Sequence, residues 1–240
     1  MDLPFKKIGI YSDGADIADM RKVAVHDYVK GFTTNPSLMK SAGVTDYLSF
    51  ARDVVKEFPK HSISFEVFGN SFETMKQEAR VIASLGENVA VKIPILTPDE
   101  KSTAELIHEL SEEGIAINVT AITTSQQVQE AVDALTEGKK NIISVFAGRI
   151  ADTGVDPSAF VRASRKICDT KDGAQLLWAS TREVLNIFQA QDLGCDIITV
   201  PPSILSKLGN IGKSAKQVSI DTVKNFEADI KTLGFSILDD

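Results

Sequence analysis

The chain has 240 residues, with 26 Lys plus Arg against 33 Asp plus Glu, a formal net charge of −7. Hydrophobic residues at 43% and charged residues at 25% are the balance of an ordinary globular protein, which excludes a disordered chain, a collagen-like chain and a disulfide-built miniprotein. The acidic total gives no general attraction to nucleic acid or to an anionic membrane, so neither is expected as a partner, while a local basic pocket for a small anion is compatible with it.

Short apolar runs rich in Val, Ile and Phe recur along the chain and predict eight strands. They are KIGIYS from Lys7, GFTTN from Gly31, ISFEVF from Ile63, VAVKIPI from Val89, AINVTAI from Ala116, NIISVFAG from Asn141, QLLWAS from Gln175 and IITVPP from Ile197. Segments of helical period lie between most of them. In FETMKQEARVIASLG, residues Met75, Ala79, Ile82 and Leu85 share a face and Gly86 is the expected stop. KSTAELIHELSEEG and SQQVQEAVDALTEG also read as helices ending in glycine. The connection from Tyr11 to Gly31 leaves room only for a short helix, with Asp16 as a candidate N-cap.

Eight strand–helix units in 240 residues is 30 residues per unit. Alternating strands and helices imply parallel pairing through right-handed crossovers, and eight units of this length suit an α/β single (β/α)8 TIM barrel. An open doubly wound sheet is the second choice, disfavoured because no GxGxxG follows the first strand. Without a linker or a shift in composition, residues 1–240 read as one barrel domain with a C-terminal helix. Cys168 and Cys195 match no metal spacing and no CxxC, so a reducing, cytoplasmic setting is expected. MDLPFKKIGIYSDG does not read as a signal peptide, and no run of about 20 apolar residues occurs.

Glu66, Lys92, Asn118 and Ser144 are each 26 residues apart, each within or at the edge of a predicted strand. Equal spacing puts them at equivalent places in four successive units, and alternation along a strand adds Thr120 to Asn118 and Phe146 to Ser144. A polar layer in a barrel core needs a reason, because unpaired buried polar groups cost several kcal/mol. Lys92 lies in an otherwise apolar run from Val89 to Leu96. It has two readings of equal weight: an amine that forms a Schiff base with a carbonyl, or a buried ion pair with Glu66 one strand away.

Asp13 closes the first strand, a position more common for a turn residue than for a catalyst. Glu66 is the stronger candidate, since mid-strand glutamates are depleted. Arg149 follows the sixth strand, and Ser180 and Arg182 follow the seventh, where barrels commonly bind phosphate. Taken singly each arginine reads as an exposed residue. Other signals fail. GNIGKS at Gly209 lacks the glycine spacing of a phosphate loop, and His108-Glu109 lacks the second histidine of HExxH. His26, His61 and His108 read as helix or loop residues, and the sequon Asn118-Val119-Thr120 lies in a core strand.

The ordered segments SDGADIADM at Ser12, FTTNPSLM at Phe32, FEVFG at Phe65, VKIPIL at Val91, INVTAI at Ile117, SVFAGRIADTG at Ser144, WASTRE at Trp178 and DIITVPPSIL at Asp196 together resemble the transaldolase family. The resemblance implies a (β/α)8 barrel that forms a lysine Schiff base with a ketose phosphate, with no metal and no organic cofactor. It implies Lys92 as the Schiff-base lysine and Asp13 as acceptor of the C4 hydroxyl proton. Glu66 and Thr120 would hold a proton-carrying water. Asn35, Asn118 and Ser144 would bind sugar hydroxyls, Thr33 and Phe146 would shape the site, and Arg149, Ser180 and Arg182 would hold the phosphate. The length is similar to that of short subfamilies, which implies a homo-oligomer, often a decamer. Fructose-6-phosphate aldolases of the same family carry glutamine in place of Glu66 and tyrosine in place of Phe146, so both positions resemble transaldolases. Gly14, Trp178 and Thr181 depart from the family pattern near the expected phosphate end.

Overall fold

A computed structural model describes residues 4–5, 7–235 and 237–238. Eight parallel strands close on one another in chain order: β1 (Gly9–Asp13), β2 (Val29–Thr33), β3 (Ser62–Glu66), β4 (Val89–Pro94), β5 (Ile117–Ile122), β6 (Asn141–Val145), β7 (Ala174–Trp178) and β8 (Ile197–Val200). Each predicted strand is present. The first half carries α1 (Ile17–Ala24), α2 (Pro36–Ser41), α3 (Tyr47–Glu57), α4 (Phe72–Ala83) and α5 (Ala104–Glu112). The second half carries α6 (Ser125–Ala134), α7 (Ala147–Ala151), α8 (Ser158–Cys168), α9 (Leu185–Asp192), α10 (Pro202–Leu205) and α11 (Ala215–Leu233). The architecture is the (β/α)8 barrel.

The helices start where side chains can hold their first free N–H groups. Asp16, Asn35, Asp46, Ser71, Thr124 and Ser214 each accept from a backbone N–H three residues on. Thr124 and Gln127 complete a capping box. On α4, Met75, Ala79 and Ile82 are buried, but the helix ends at Ala83, so Leu85 lies beyond it. The 125–138 segment also stops early, at Ala134, and Gly138 serves a separate left-handed turn with φ +76°.

Parallel pairing with near-equal crossovers sets the register. Glu66 lies beside Lys92, and Lys92 beside Asn118. The third step departs, because Asn118 pairs with Ile142, two residues before Ser144. The register between β5 and β6 shifts around Val119–Ile122, where Ala121 has φ +61°, a bulge on a non-glycine residue. Inside the barrel, Tyr11, Ile142, Leu177 and Ile197 form an apolar plug with Ala179, and Phe146 packs against it. Gly31 makes room for the plug: a Cβ there would lie 2.7 Å from the Tyr11 ring and 2.5 Å from the Ser62 carbonyl oxygen.

The compact barrel unit runs to Leu205, and residues from Ser206 onward form a second unit. The second unit holds a 3-10 turn (Leu208–Asn210) and α11, capped by Ser214 and ended by Gly234 at φ +70°. No residue of α11 is buried. Among the described residues, no helix is long and apolar enough to cross a membrane.

Candidate active site

The C-terminal ends of the strands surround a cavity of about 490 Å³. Its lining includes Asp13, Thr33, Asn35, Glu66, Lys92, Thr120, Ser144, Phe146, Arg149, Ser180 and Arg182, eleven of the twelve residues singled out by the sequence. Asn118 is fully buried and is absent from the lining.

Lys92 is 5% exposed. Its Nζ lies 3.0 Å from Glu66 Oε2 and donates to the Thr34 carbonyl oxygen at 2.8 Å. The ion-pair reading of Lys92 therefore holds as geometry, and it does not compete with the chemical one, because the amine also faces the cavity. Thr34 is a backbone partner that no side-chain pattern announces. Asp13 Oδ1 accepts from Thr33 Oγ1 at 2.7 Å, and Thr33 Oγ1 lies 2.5 Å from Thr199 Oγ1. Burial pushes the Asp13 carboxyl above the usual range, against the downward pull of the Lys92 ammonium and the Thr33 hydroxyl.

Ser144 Oγ donates to Asn118 Oδ1 at 2.7 Å, and Asn118 Nδ2 donates to Ser64 Oγ at 3.0 Å. This chain crosses β6, β5 and β3 beneath the cavity and orients the Ser144 hydroxyl. Thr120 Oγ1 is buried with no hydrogen-bond partner among the described residues, an orphan hydroxyl at the cavity wall just before the Ala121 bulge. Asn35 caps α2 through Oδ1, which accepts from the Leu38 N–H at 3.0 Å, and so its amide is fixed at the wall.

Two arginines stand at the rim. The Arg149 guanidinium lies 5.8 Å above the Phe146 ring. Arg182 makes a two-pronged ion pair with Asp152, Nε to Oδ1 at 3.1 Å and Nη2 to Oδ2 at 2.5 Å. Ser180 holds φ +66°, and the loop around it presses on α7: a Cβ on Gly148 would come within 1.6 Å of the Ser180 carbonyl oxygen. Only glycine fits at 148.

Of the three departures from the family pattern, one lines the cavity and two do not. Thr181 lines the cavity and donates to the Thr199 carbonyl oxygen at 2.7 Å. Gly14 has ordinary φ, and the nearest neighbour of a Cβ there would be Pro202 at 3.9 Å. Trp178 is fully buried and is absent from the lining, whereas its neighbours Leu177 and Ala179 line the cavity. Alternation along β7 therefore turns the indole away from the barrel interior, a correction to its expected place near the phosphate end.

A buried amine with one carboxylate in contact, a second carboxylate in the same polar layer and two guanidinium groups above has the parts needed for imine chemistry on an anionic carbonyl compound. A family model described as transaldolase/fructose-6-phosphate aldolase matches residues 10–237. A probable transaldolase of Rhizorhabdus wittichii is 33% identical over 231 residues, which cover 95% of this chain and 99% of that protein. A probable transaldolase of Mesorhizobium japonicum is 34% identical over 203 residues, 83% of this chain and 88% of that one. Among solved structures, a 3-hexulose-6-phosphate synthase from Salmonella typhimurium aligns with a TM-score of 0.57 at 13% identity, over 84% of this chain and 91% of that chain, a likeness of fold alone. The match across nearly the whole chain shows that it belongs to the transaldolase/fructose-6-phosphate aldolase family, enzymes of carbohydrate metabolism.

Proposed function

We propose that the protein is a transaldolase that moves a dihydroxyacetone unit from fructose 6-phosphate or sedoheptulose 7-phosphate to an aldose phosphate through a Schiff base on Lys92. The observation that carries this reading is the buried Lys92 amine 3.0 Å from Glu66 at the floor of the cavity.

Once its proton has passed to Glu66, the Lys92 amine attacks the C2 carbonyl of the ketose. Loss of the resulting hydroxyl as water, with the proton supplied by Glu66 through a water beside Thr120, leaves the iminium. Asp13 then takes the C4 hydroxyl proton as the C3–C4 bond breaks. The bond electrons pass into the iminium and form an enamine, and the shortened aldose phosphate leaves. The enamine attacks the incoming aldehyde, Asp13 returns the proton, and water releases the new ketose. Ser144, oriented by Asn118, and Asn35 bind hydroxyls, while Arg149, Ser180 and Arg182 hold the phosphate at the rim.

Phe146 favours transfer over release because its ring offers no proton to the waiting enamine. Aldolytic cleavage of fructose 6-phosphate is the second reading, since the matching family covers both activities. Borohydride reduction with fructose 6-phosphate should trap one adduct, on Lys92. Product analysis with and without an aldehyde acceptor separates the two: release of dihydroxyacetone without acceptor as fast as transfer would make the protein an aldolase.

A further inference from the structure

Asp152 has no part in the chemistry just described, yet it is tied to that site. It follows the last turn of α7, three residues after Arg149. Its two carboxylate oxygens accept from Nε and Nη2 of Arg182, which comes from the loop after β7. That pairing occupies one edge of the guanidinium. The other edge, formed by Nη1 and the remaining Nη2 proton, has no protein acceptor at Nη1 among the described hydrogen bonds, and Arg182 lines the cavity. The backbone of Arg182 is also fixed, its N–H donating to Asn186 Oδ1 at 2.9 Å.

We propose that Asp152 is a positioning residue for Arg182: it clamps one edge of the guanidinium so that the other edge meets the anionic tail of the substrate. The inference rests on the reading of Arg149 and Arg182 as the tail site. A planar fork held on one edge loses little freedom when a tetrahedral anion docks on the other. The paired Arg182 also keeps the Asp152 carboxyl below the usual range, so the clamp stays charged through neutral pH.

The sign of the effect separates positioning from bulk charge. Removing Asp152 adds one unit of positive charge to the rim, which by charge alone would tighten anion binding. Loss of the clamp weakens it. Asp152 is half exposed, so its substitution spares the core. Steady-state kinetics would compare D152N, D152E, R182A and D152N/R182A, using fructose 6-phosphate and unphosphorylated fructose with a common acceptor.

The expected result for D152N is a KM for fructose 6-phosphate raised roughly 5-fold, the scale of a well-formed bidentate pair near the surface. Its kcat, and its kcat/KM for fructose, stay within about 2-fold. D152E, which keeps the carboxylate, recovers most of the loss, and D152N/R182A is no worse than R182A. A KM that falls or stays constant in D152N, while R182A still discriminates between the two donors, overturns the positioning role. If R182A itself harms both donors equally, the tail site is wrong, and the clamp inference fails with it.

Discussion

The floor and the rim of the cavity are built on different principles. At the floor, Lys92, Glu66, Asp13 and Thr33 project from four consecutive strands, and each polar group has a partner within hydrogen-bond reach. At the rim, Arg149 and Arg182 stand on connecting segments, exposed, one over an aromatic ring and one on a carboxylate. A group that changes its bonding needs a dry, fixed setting, where electrostatic effects are strong. A group that captures an anion from water needs access first. The division predicts that floor substitutions act on every donor, whereas rim substitutions act only on charged ones.

The largest expected effect is at the floor. Lys92→Arg keeps the positive charge beside Glu66 but removes the nucleophilic amine, so activity should fall by roughly 10⁴-fold or more while the protein stays folded. The check is turnover together with circular dichroism, and an active Lys92→Arg enzyme would refute covalent catalysis. The rim comes next. Arg149→Ala and Arg182→Ala should each lower kcat/KM for phosphorylated donors by about 10- to 150-fold, the worth of one charged hydrogen bond. With dihydroxyacetone or fructose as donor, the same variants should change little. Equal losses on both kinds of donor would erase the distinction between floor and rim.

The two regions were also unequally legible. The floor follows from a period of 26 residues, because parallel strands joined by crossovers of equal length bring equal positions side by side, as Glu66, Lys92 and Asn118 show. At Ser144 the period holds for the face and not for the pairing: the β5–β6 irregularity leaves it two residues above the partner of Asn118, yet its hydroxyl still reaches the Asn118 side chain. Gly31 reads as a strand boundary from its identity, yet it lies inside β2, where the Tyr11 ring excludes any side chain. NIISVFAG reads as strand to its end, but the chain turns into α7 at Ala147. At the rim, Arg149, Phe146 and Arg182 were visible and the carboxylate that holds Arg182 was not. Asp152 meets Arg182 across 30 residues of sequence, a pairing that no local pattern carries. The left-handed conformations of Ala121 and Ser180 leave no mark either, since neither is glycine.

Phe146 joins the two regions, with its ring under Arg149 and beside the apolar plug. Phe146→Tyr should add a hydroxyl within reach of the enamine. Dihydroxyacetone release without acceptor should then rise by roughly 10-fold, below the range of a fully positioned general acid. An unchanged release rate, measured by a coupled assay on fructose 6-phosphate alone, would mean that the ring serves Arg149 and not the enamine.

The smallest effect is in stability, and it tests whether the floor is strained for function. Burial outweighs the Lys92 charge and the Thr33 hydroxyl at Asp13, so its carboxyl titrates above the usual range in the folded protein. Between the unfolded value of about 3.9 and that raised value, the folded state binds more protons than the unfolded one. Stability from this group therefore falls as pH rises through that window, the reverse of a salt-bridged surface aspartate. Asp13→Asn cannot ionise and keeps an oxygen for Thr33. The variant should melt above the wild type at neutral pH, and the gap should close as pH drops through that window to the ordinary aspartate value. Thermal melts at neutral and acidic pH measure this directly. A gap that does not grow with pH would mean that Lys92 and Thr33 compensate the burial of Asp13 in full, and that the floor holds its second carboxylate without strain.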